Sequence, residues 1–278
     1  DPKGQRPARI AKYLLNNRKH ATYWSSTRDT GLCIEALAEF LEASGEAAAS
    51  AKLTVLLDGK VVQEAEFTPE NLFRIDNTLT LAGDALTSGE HELEIRREGK
   101  GPLYFNAYLT NFTREDPIPA AGLEVRVHRK IFRLVREDAE ESVAGGHGQV
   151  VDQKIEKYRR EELSKDSTLE SGDLVEVELT IDSKNDYEYL IFEDFKPAGC
   201  EPVNLQSGYD GNGLGAYVEY RDEGASFFVQ QLARGTHSVK YRMRAEIPGR
   251  FSALPTQARA MYAPELRGNS EEAKLTIR

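Results

Sequence analysis

The chain predicts a mainly β protein: antiparallel β-sandwich domains preceded by a short α-helical N-terminal segment. Three observations carry that prediction. Residues 25–45 hold a capped, helix-period stripe. From residue 46 onward the apolar period changes from helical to strand-like. The strand-like runs are separated by turn-forming residues such as Asp58-Gly59, the strongest short hairpin signal.

The helical segment comes first. Ser26 and Asp29 stand at capping-box spacing, and Cys33, Leu37, Phe40, Leu41 and Ser44 then recur on one helical face before Gly45 stops the helix. A helix this isolated is marginal in water and needs a partner, either Ile10–Asn16 or a body elsewhere. Lys52–Leu57 and Val61–Phe67 flank the Asp58-Gly59 turn. Further strands are expected at Leu79–Ala82, His91–Arg96 and Leu103–Asn111, the last two joined by the turn-like Glu98-Gly99-Lys100-Gly101. Pro117 and Pro119 mark a linker. Beyond it, strands are expected at Leu123–Val135, Leu174–Ile181, Tyr187–Phe192, Ala216–Arg221, Ser226–Leu232, Ser238–Glu246 and Ala273–Arg278, the pattern of a sandwich. The charged stretch Glu137–Gly172, with Gly145-Gly146-His147-Gly148, is expected to be an exposed loop with a short strand or helix near Val150–Leu163. The domains expected from this are 1–45, 46–116 and 117–278.

Composition bounds the function. Apolar residues make up 40% and charged residues 29% of the 278-residue chain, an ordinary globular balance. A net charge of −10 argues against nucleic acid, which needs a basic stripe. The one dense basic run, Arg126–Arg136, alternates as a strand with a solvated face does. No apolar stretch approaches the roughly 18 residues that span a bilayer. The N-terminus, Asp1-Pro-Lys-Gly, has no signal-peptide pattern, so any export signal is expected upstream. Cys33 and Cys200 match no zinc or redox spacing, and a disulfide between them is disfavoured.

The apparent motifs fail on context. Gly211-Asn-Gly-Leu-Gly-Ala216 formally matches a dinucleotide loop, but the strand-like Tyr217–Arg221 follows where a helix is required. The five histidines, His20, His91, His128, His147 and His237, show no metal-ligand spacing. No nucleophile-elbow, phosphate-loop or calcium-loop pattern occurs. Asn111-Phe-Thr113 matches a glycosylation sequon by pattern alone. No catalytic residue, cofactor or metal is therefore expected, and the chain is not expected to be an enzyme. In a competing reading, an adhesion or ligand-binding module, Tyr217, Tyr220, Phe227 and Phe228 are the candidate contacts. Tyr217 and Tyr220 have opposite parity in a strand, so at least one is expected to be buried.

Several segments resemble the bacterial alpha-2-macroglobulin family. Tyr23-Trp-Ser-Ser-Thr-Arg-Asp-Thr30, followed by Ile34-Glu-Ala-Leu-Ala38, is similar to the end of the family's helical thioester domain. Leu254-Pro-Thr-Gln-Ala-Arg-Ala-Met-Tyr-Ala-Pro-Glu-Leu-Arg-Gly-Asn-Ser270 resembles a hallmark of the last domain, as do Tyr187–Asp194 and Pro197–Pro202. The resemblance covers essentially the whole chain. It implies the end of a thioester-type helical domain at 1–45, part of a CUB-like domain at 46–116, and a C-terminal macroglobulin-like sandwich at 117–278. The implied role is a non-catalytic part of a broad-spectrum protease trap. Its partners are upstream domains of the same polypeptide and, through the full-length protein, target proteases. Its implied place is periplasmic or extracellular, with an upstream segment as the option for a membrane anchor. Open sheet edges leave room for a homodimer.

In this family a Cys-x-x-Gln pair closes into a thioester. Here Val203 stands in the Gln position after Cys200 and Ala36 in that after Cys33, so neither cysteine has the amide partner. The resemblance implies that the last domain shields the reactive bond from water. Met261 and Tyr262, followed by Pro264 and Glu265, are the candidate shielding loop, because a buried aromatic excludes water over a large area. In the competing reading Met261 and Tyr262 fill the sandwich core, the usual fate of such residues.

Overall fold

The structure, a computed structural model, describes all residues except 1–3, 20–21, 49, 73, 88, 101–102, 111–116, 145–149, 165–166 and 264. The chain divides into two compact units. The first comprises Asp1–Leu15 and Tyr23–Thr110, the second Asn16–Thr22 and Asn111–Arg278. The run 145–148 and the sequon at 111–113 lie outside the described residues.

In the first unit, α1 spans Gln5–Asn16 and α2 spans Thr27–Ser44. The Ser26 side chain accepts from the Asp29 amide, and Gly45 ends α2 at φ 78° with its amide donated to the Glu42 carbonyl. Both caps satisfy backbone groups that the helix itself cannot. Cys33, Leu37, Phe40, Leu41 and Ser44 do form the inner stripe of α2, yet they are only half-buried and no residue of the helix is buried. Trp24 fixes the approach to α2. Its indole donates to the Leu14 carbonyl at 2.9 Å, and its amide donates to the Thr30 hydroxyl at 3.0 Å.

Strands β1 (Ser50–Leu57), β2 (Lys60–Phe67) and β3 (Leu93–Lys100) form one antiparallel sheet in the order β2-β1-β3. Asp58 and Gly59, at φ 50° and 76°, make the expected turn between β1 and β2. Other expectations for this region need correction. Glu98, Gly99 and Lys100 lie within β3, with Gly99 opposite Ala51, and do not form a turn. Leu79–Ala82 is not a strand. Residues 103–110 pair with no strand among the described residues, and Tyr104, Phe105 and Leu109 are exposed. Alternation specifies an extended, half-buried segment, but a ladder also needs a neighbour that local sequence does not name.

His91 staples this unit. Its Nδ1 faces the Asp58 carboxylate at 2.7 Å and its Nε2 faces the Thr87 carbonyl at 2.7 Å, two acceptors that only the imidazolium can serve at once. The Thr87 carbonyl first, and Asp58 next, raise the His91 pKa. The bond from His91, then the Glu92 amide, lower that of Asp58. A raised folded pKa gives stability that is present below the unfolded value and lost as pH rises through the folded one. Wild-type stability of this unit is therefore expected to fall, relative to His91→Gln, as pH rises beyond about 6.5. Urea denaturation followed by Trp24 fluorescence at pH 6 and pH 8 measures this; an unchanged difference would refute the staple.

The second unit begins with β4 (Ala121–Gly122), β5 (Val125–Ala144), β6 (Val150–Glu162), β7 (Thr168–Leu169), β8 (Leu174–Ser183) and β9 (Tyr187–Phe195). It continues with β10 (Cys200–Pro202), β11 (Gly208–Tyr209), β12 (Tyr217–Arg221), β13 (Gly224–Leu232) and β14 (Gly235–Ala245). It ends with β15 (Gly249–Ala253), β16 (Gln257–Ala260), β17 (Arg267–Asn269) and β18 (Ala273–Ile277). One sheet runs β10-β14-β8-β5-β6, a second runs β11-β12-β13-β9-β16-β17-β4, and β15-β18-β7 form a third. Alternate residues, among them Val125, Val127, Val175, Val177, Leu179, Leu190, Phe192, Phe227 and Met243, fill a common core, as the period-2 pattern requires.

In the charged stretch Glu137–Gly172 the expected strand near Val150–Leu163 is β6, but residues 137–144 continue β5 and do not form a loop. Strands β5 and β6 pair from Phe132↔Glu162 to Ala144↔Val150, whereas β8 leaves β5 at Leu134↔Leu174. Beyond that point the β5–β6 ladder continues without β8. The match at Gly211–Ala216 is a hairpin loop between β11 and β12, knit by the Asn212 side chain to Asp210, Leu214 and Ala216. Both cysteines are free. Cys200 is buried, and burial pushes its thiol up to about 11.

Candidate functional site: the hairpin tip at Met261–Glu265

Strands β16 and β17 form a hairpin inside the segment Leu254–Ser270, and residues 261–266 are its tip. The tip closes on itself: the Ala260 amide donates to the Leu266 carbonyl and the Leu266 amide to the Ala263 carbonyl, both at 2.9 Å. Ala263 and Leu266 turn into the core. Met261 is 46% exposed, Tyr262 is half-buried and neither belongs to the core cluster, so the tip directs its large side chains away from the sandwich interior. Glu265 is exposed, and Pro264 lies outside the described residues.

The tip rests on an irregularity in β9. Tyr189 has φ +54°, a left-handed conformation rare for an aromatic residue. The pairing of β9 with β13 skips Tyr189 and Gln230, and the buried positions change parity there, with Leu190 and Phe192 inward on one side and Tyr187 on the other. This irregularity presents the Tyr189 carbonyl to the Met261 amide at 2.8 Å. It also sets the Tyr189 ring edge-on to Tyr262, with centroids 5.5 Å apart at 67°. Next to it, Tyr187 is buried and donates to Glu124; burial raises its hydroxyl to about 12.

A buried polar cluster fixes the hairpin base. The Arg129 guanidinium on β5 meets the Asp194 carboxylate on β9 at 2.9 Å, and both side chains are almost wholly buried. Arg129 also donates to the carbonyls of Ala253 and Leu254, each at 2.7 Å. Asp194 accepts from Thr256 and from Tyr241, each at 2.6 Å, and burial, then the Asp194 charge, push the Tyr241 hydroxyl well above its ordinary range. Thr256 and Ser270, which bracket the hairpin, join through the Ser270 hydroxyl at 2.9 Å and the Ser270 amide at 2.9 Å. One ion pair thus sets where both hairpin strands leave the core.

This cluster is absent from the sequence expectations, although parity holds its signal. Arg129 falls on the inward phase of Val127 and Ile131, and Asp194 on that of Leu190 and Phe192. The basic run Arg126–Arg136 is therefore not purely a solvated face. Among the competing contact residues, Phe227 is fully buried and Tyr220 packs against the core, which corrects their assignment as surface contacts. Tyr217 and Phe228 stay half-buried in an edge-on ring series with Tyr209. Among the described residues, no group of three or more His, Cys, Asp or Glu is placed to hold a metal, and no helix is long and apolar enough to cross a membrane.

Residues 125–265, which include the tip, match the family model of the bacterial alpha-2-macroglobulin MG10 domain. The chain belongs to the bacterial alpha-2-macroglobulin family. It is 25% identical over 279 residues to an alpha-2-macroglobulin homolog of Nostoc sp., covering 97% of this chain and 14% of that protein. It is 27% identical over 126 residues to the alpha-2-macroglobulin of Xylella fastidiosa, covering 39% and 8%. Among solved structures, trypsin-activated alpha-2-macroglobulin from Escherichia coli is similar with a TM-score of 0.45 at 18% identity, over 98% of this chain and 17% of that one. Salmonella alpha-2-macroglobulin reacted with methylamine gives 0.43 at 19% identity, over 91% and 14%. The chain thus spans about one seventh of the Nostoc relative.

Proposed function

We propose that this chain is the non-catalytic C-terminal portion of a broad-spectrum protease-trapping inhibitor, in which the loop Met261–Glu265 shields the reactive bond of the thioester domain. Residues 1–45 close that helical domain, 46–116 are part of a CUB-like domain, and 117–278 are the last macroglobulin-like sandwich. Its partners are the upstream domains of its own polypeptide and, through the full-length protein, target proteases. Its setting is periplasmic or extracellular.

The observation that carries the reading is that Met261 and Tyr262, both within the matched MG10 segment, lie outside the core cluster. A half-buried aromatic ring backed by Tyr189 is a firm apolar lid, and such a lid keeps water from an acyl group. Neither cysteine here suits the chemistry itself: Cys200 is buried with a raised pKa, and neither has a Gln partner.

The test uses the full-length protein. Without protease, Tyr262→Gly is expected to release thiol to methylamine roughly tenfold faster than wild type or more. The wild-type protein, after trypsin, is expected to protect a large protein substrate while leaving a small peptide substrate cleavable. A wild-type release rate in the variant, or no releasable thiol at all, overturns the shielding role.

A further inference from the structure

The second unit includes a short segment, Asn16–Thr22, far in sequence from the rest of that unit, Asn111–Arg278. Two adjacent cations in it reach the hairpin tip and its support. Arg18 Nη2 lies 3.1 Å from Glu265 Oε1, at the end of the tip. Lys19 Nζ lies 3.2 Å from Glu188 Oε2 and 5.9 Å from the centroid of the Tyr189 ring. Tyr189 is the ring that backs Tyr262 and the carbonyl that holds the Met261 amide.

We propose that Arg18 and Lys19 form an electrostatic strap that fixes the Met261–Glu265 loop against β9. One cation holds the loop directly through its acid. The other holds it through Tyr189, whose left-handed backbone is skipped in the register of β9 with β13. The four charged side chains are between about one fifth and one third exposed. Pairs of this kind are individually weak and screened by salt, but two of them plus a cation–π contact act on the same few residues. They suit a restraint that has to let go: the loop stays seated until segment 16–22 is pulled aside. The strap itself stands on the geometry, and its consequence rests on the shielding reading: freeing the strap loosens the lid.

Backbone hydrogen exchange on the 278-residue chain tests the strap without any thioester. The reporters are the amides of Met261 and Leu266. In Arg18→Glu/Lys19→Glu they are expected to exchange roughly 5- to 30-fold faster than wild type. Raising sodium chloride should move wild type towards the variant. The Thr256 and Ser270 amides, held at the base by Asp194, should not change. The charge swap Arg18→Glu/Glu265→Arg should restore most of the protection, which general destabilisation would not. Unchanged tip amides in the double variant, or a charge swap without rescue, overturn the strap. Thiol release from full-length protein separates the two readings. Faster amides with unchanged release leave the strap and sink the lid, whereas unchanged amides with fast release from Tyr262→Gly sink the strap and keep the lid.

Discussion

Replacing Asp194 by Ala is expected to cost the second unit about 3–5 kcal/mol, because it leaves Arg129 charged and buried without its partner. The loss spreads further than one pair. Tyr241 and Thr256 each donate to the same carboxylate at 2.6 Å and would lose their acceptor together. Arg129 would keep only backbone carbonyls, which cannot neutralise it. Removing both charges at once is a different perturbation. Arg129→Met with Asp194→Leu is expected to recover much of the loss, since an apolar pair carries no desolvation penalty. Far-UV circular dichroism during urea denaturation follows the β-rich second unit, while the sole tryptophan, Trp24, reports on the first. An Asp194→Ala protein with wild-type stability, or a double variant as poor as the single one, would show that the cluster does not hold the hairpin base.

Phe227→Ala is expected to cost about 3–5 kcal/mol, and Phe228→Ala only about 1 kcal/mol, although the two are neighbours of one residue type. Phe227 is fully buried and packs 6.1 Å from the Tyr241 ring, so its removal opens a cavity between the sheets. Phe228 points to the other face, where it loses only the edge contact to Tyr217 at 6.4 Å. The same denaturation measurement compares them. Equal losses would mean that the inward phase of β13 has been assigned to the wrong residues.

That pair also shows what can be read locally. In β14 from Val239 onward, and at Phe227 and Phe228 in β13, alternation separates the buried residue from its neighbour, because side chains on a pleated strand alternate. In α2, the cap at Ser26, the stop at Gly45 and the inner stripe from Cys33 to Ser44 follow from interactions within four residues. The errors have a common cause. Leu79–Ala82 has strand-like residues but no neighbouring strand, and Glu98–Lys100 reads as a turn but lies across from Ser50–Lys52. The charged residues 137–144 read as a loop because they lack apolar alternation, yet they pair with β6. Pairing partners are distant in the chain, and no short window contains them.

At the candidate site the division is sharper. Met261, Tyr262 and Glu265 are legible as a segment through their resemblance, but residue types point first to core packing, their usual fate. In the structure Ala263 and Leu266 fill the core, and Met261 and Tyr262 stay outside it. Tyr189 could not be nominated, since a tyrosine in a strand is ordinary until its partner is known, and parity marks Arg129 and Asp194 as inward without naming their pairing.

The sequence by itself determined the class of this protein, its helix caps, its hairpin turn at Asp58-Gly59 and its family, because each depends on neighbours in the chain or on a linear motif. Only the tertiary structure decided which face of the hairpin looks outward, which charges are buried together and that Arg18 reaches the tip. Those outcomes depend on Arg18, Arg129, Tyr189, Asp194 and Glu265 meeting across spans of tens to hundreds of residues, and contact free energy there is set by three-dimensional burial rather than by sequence distance.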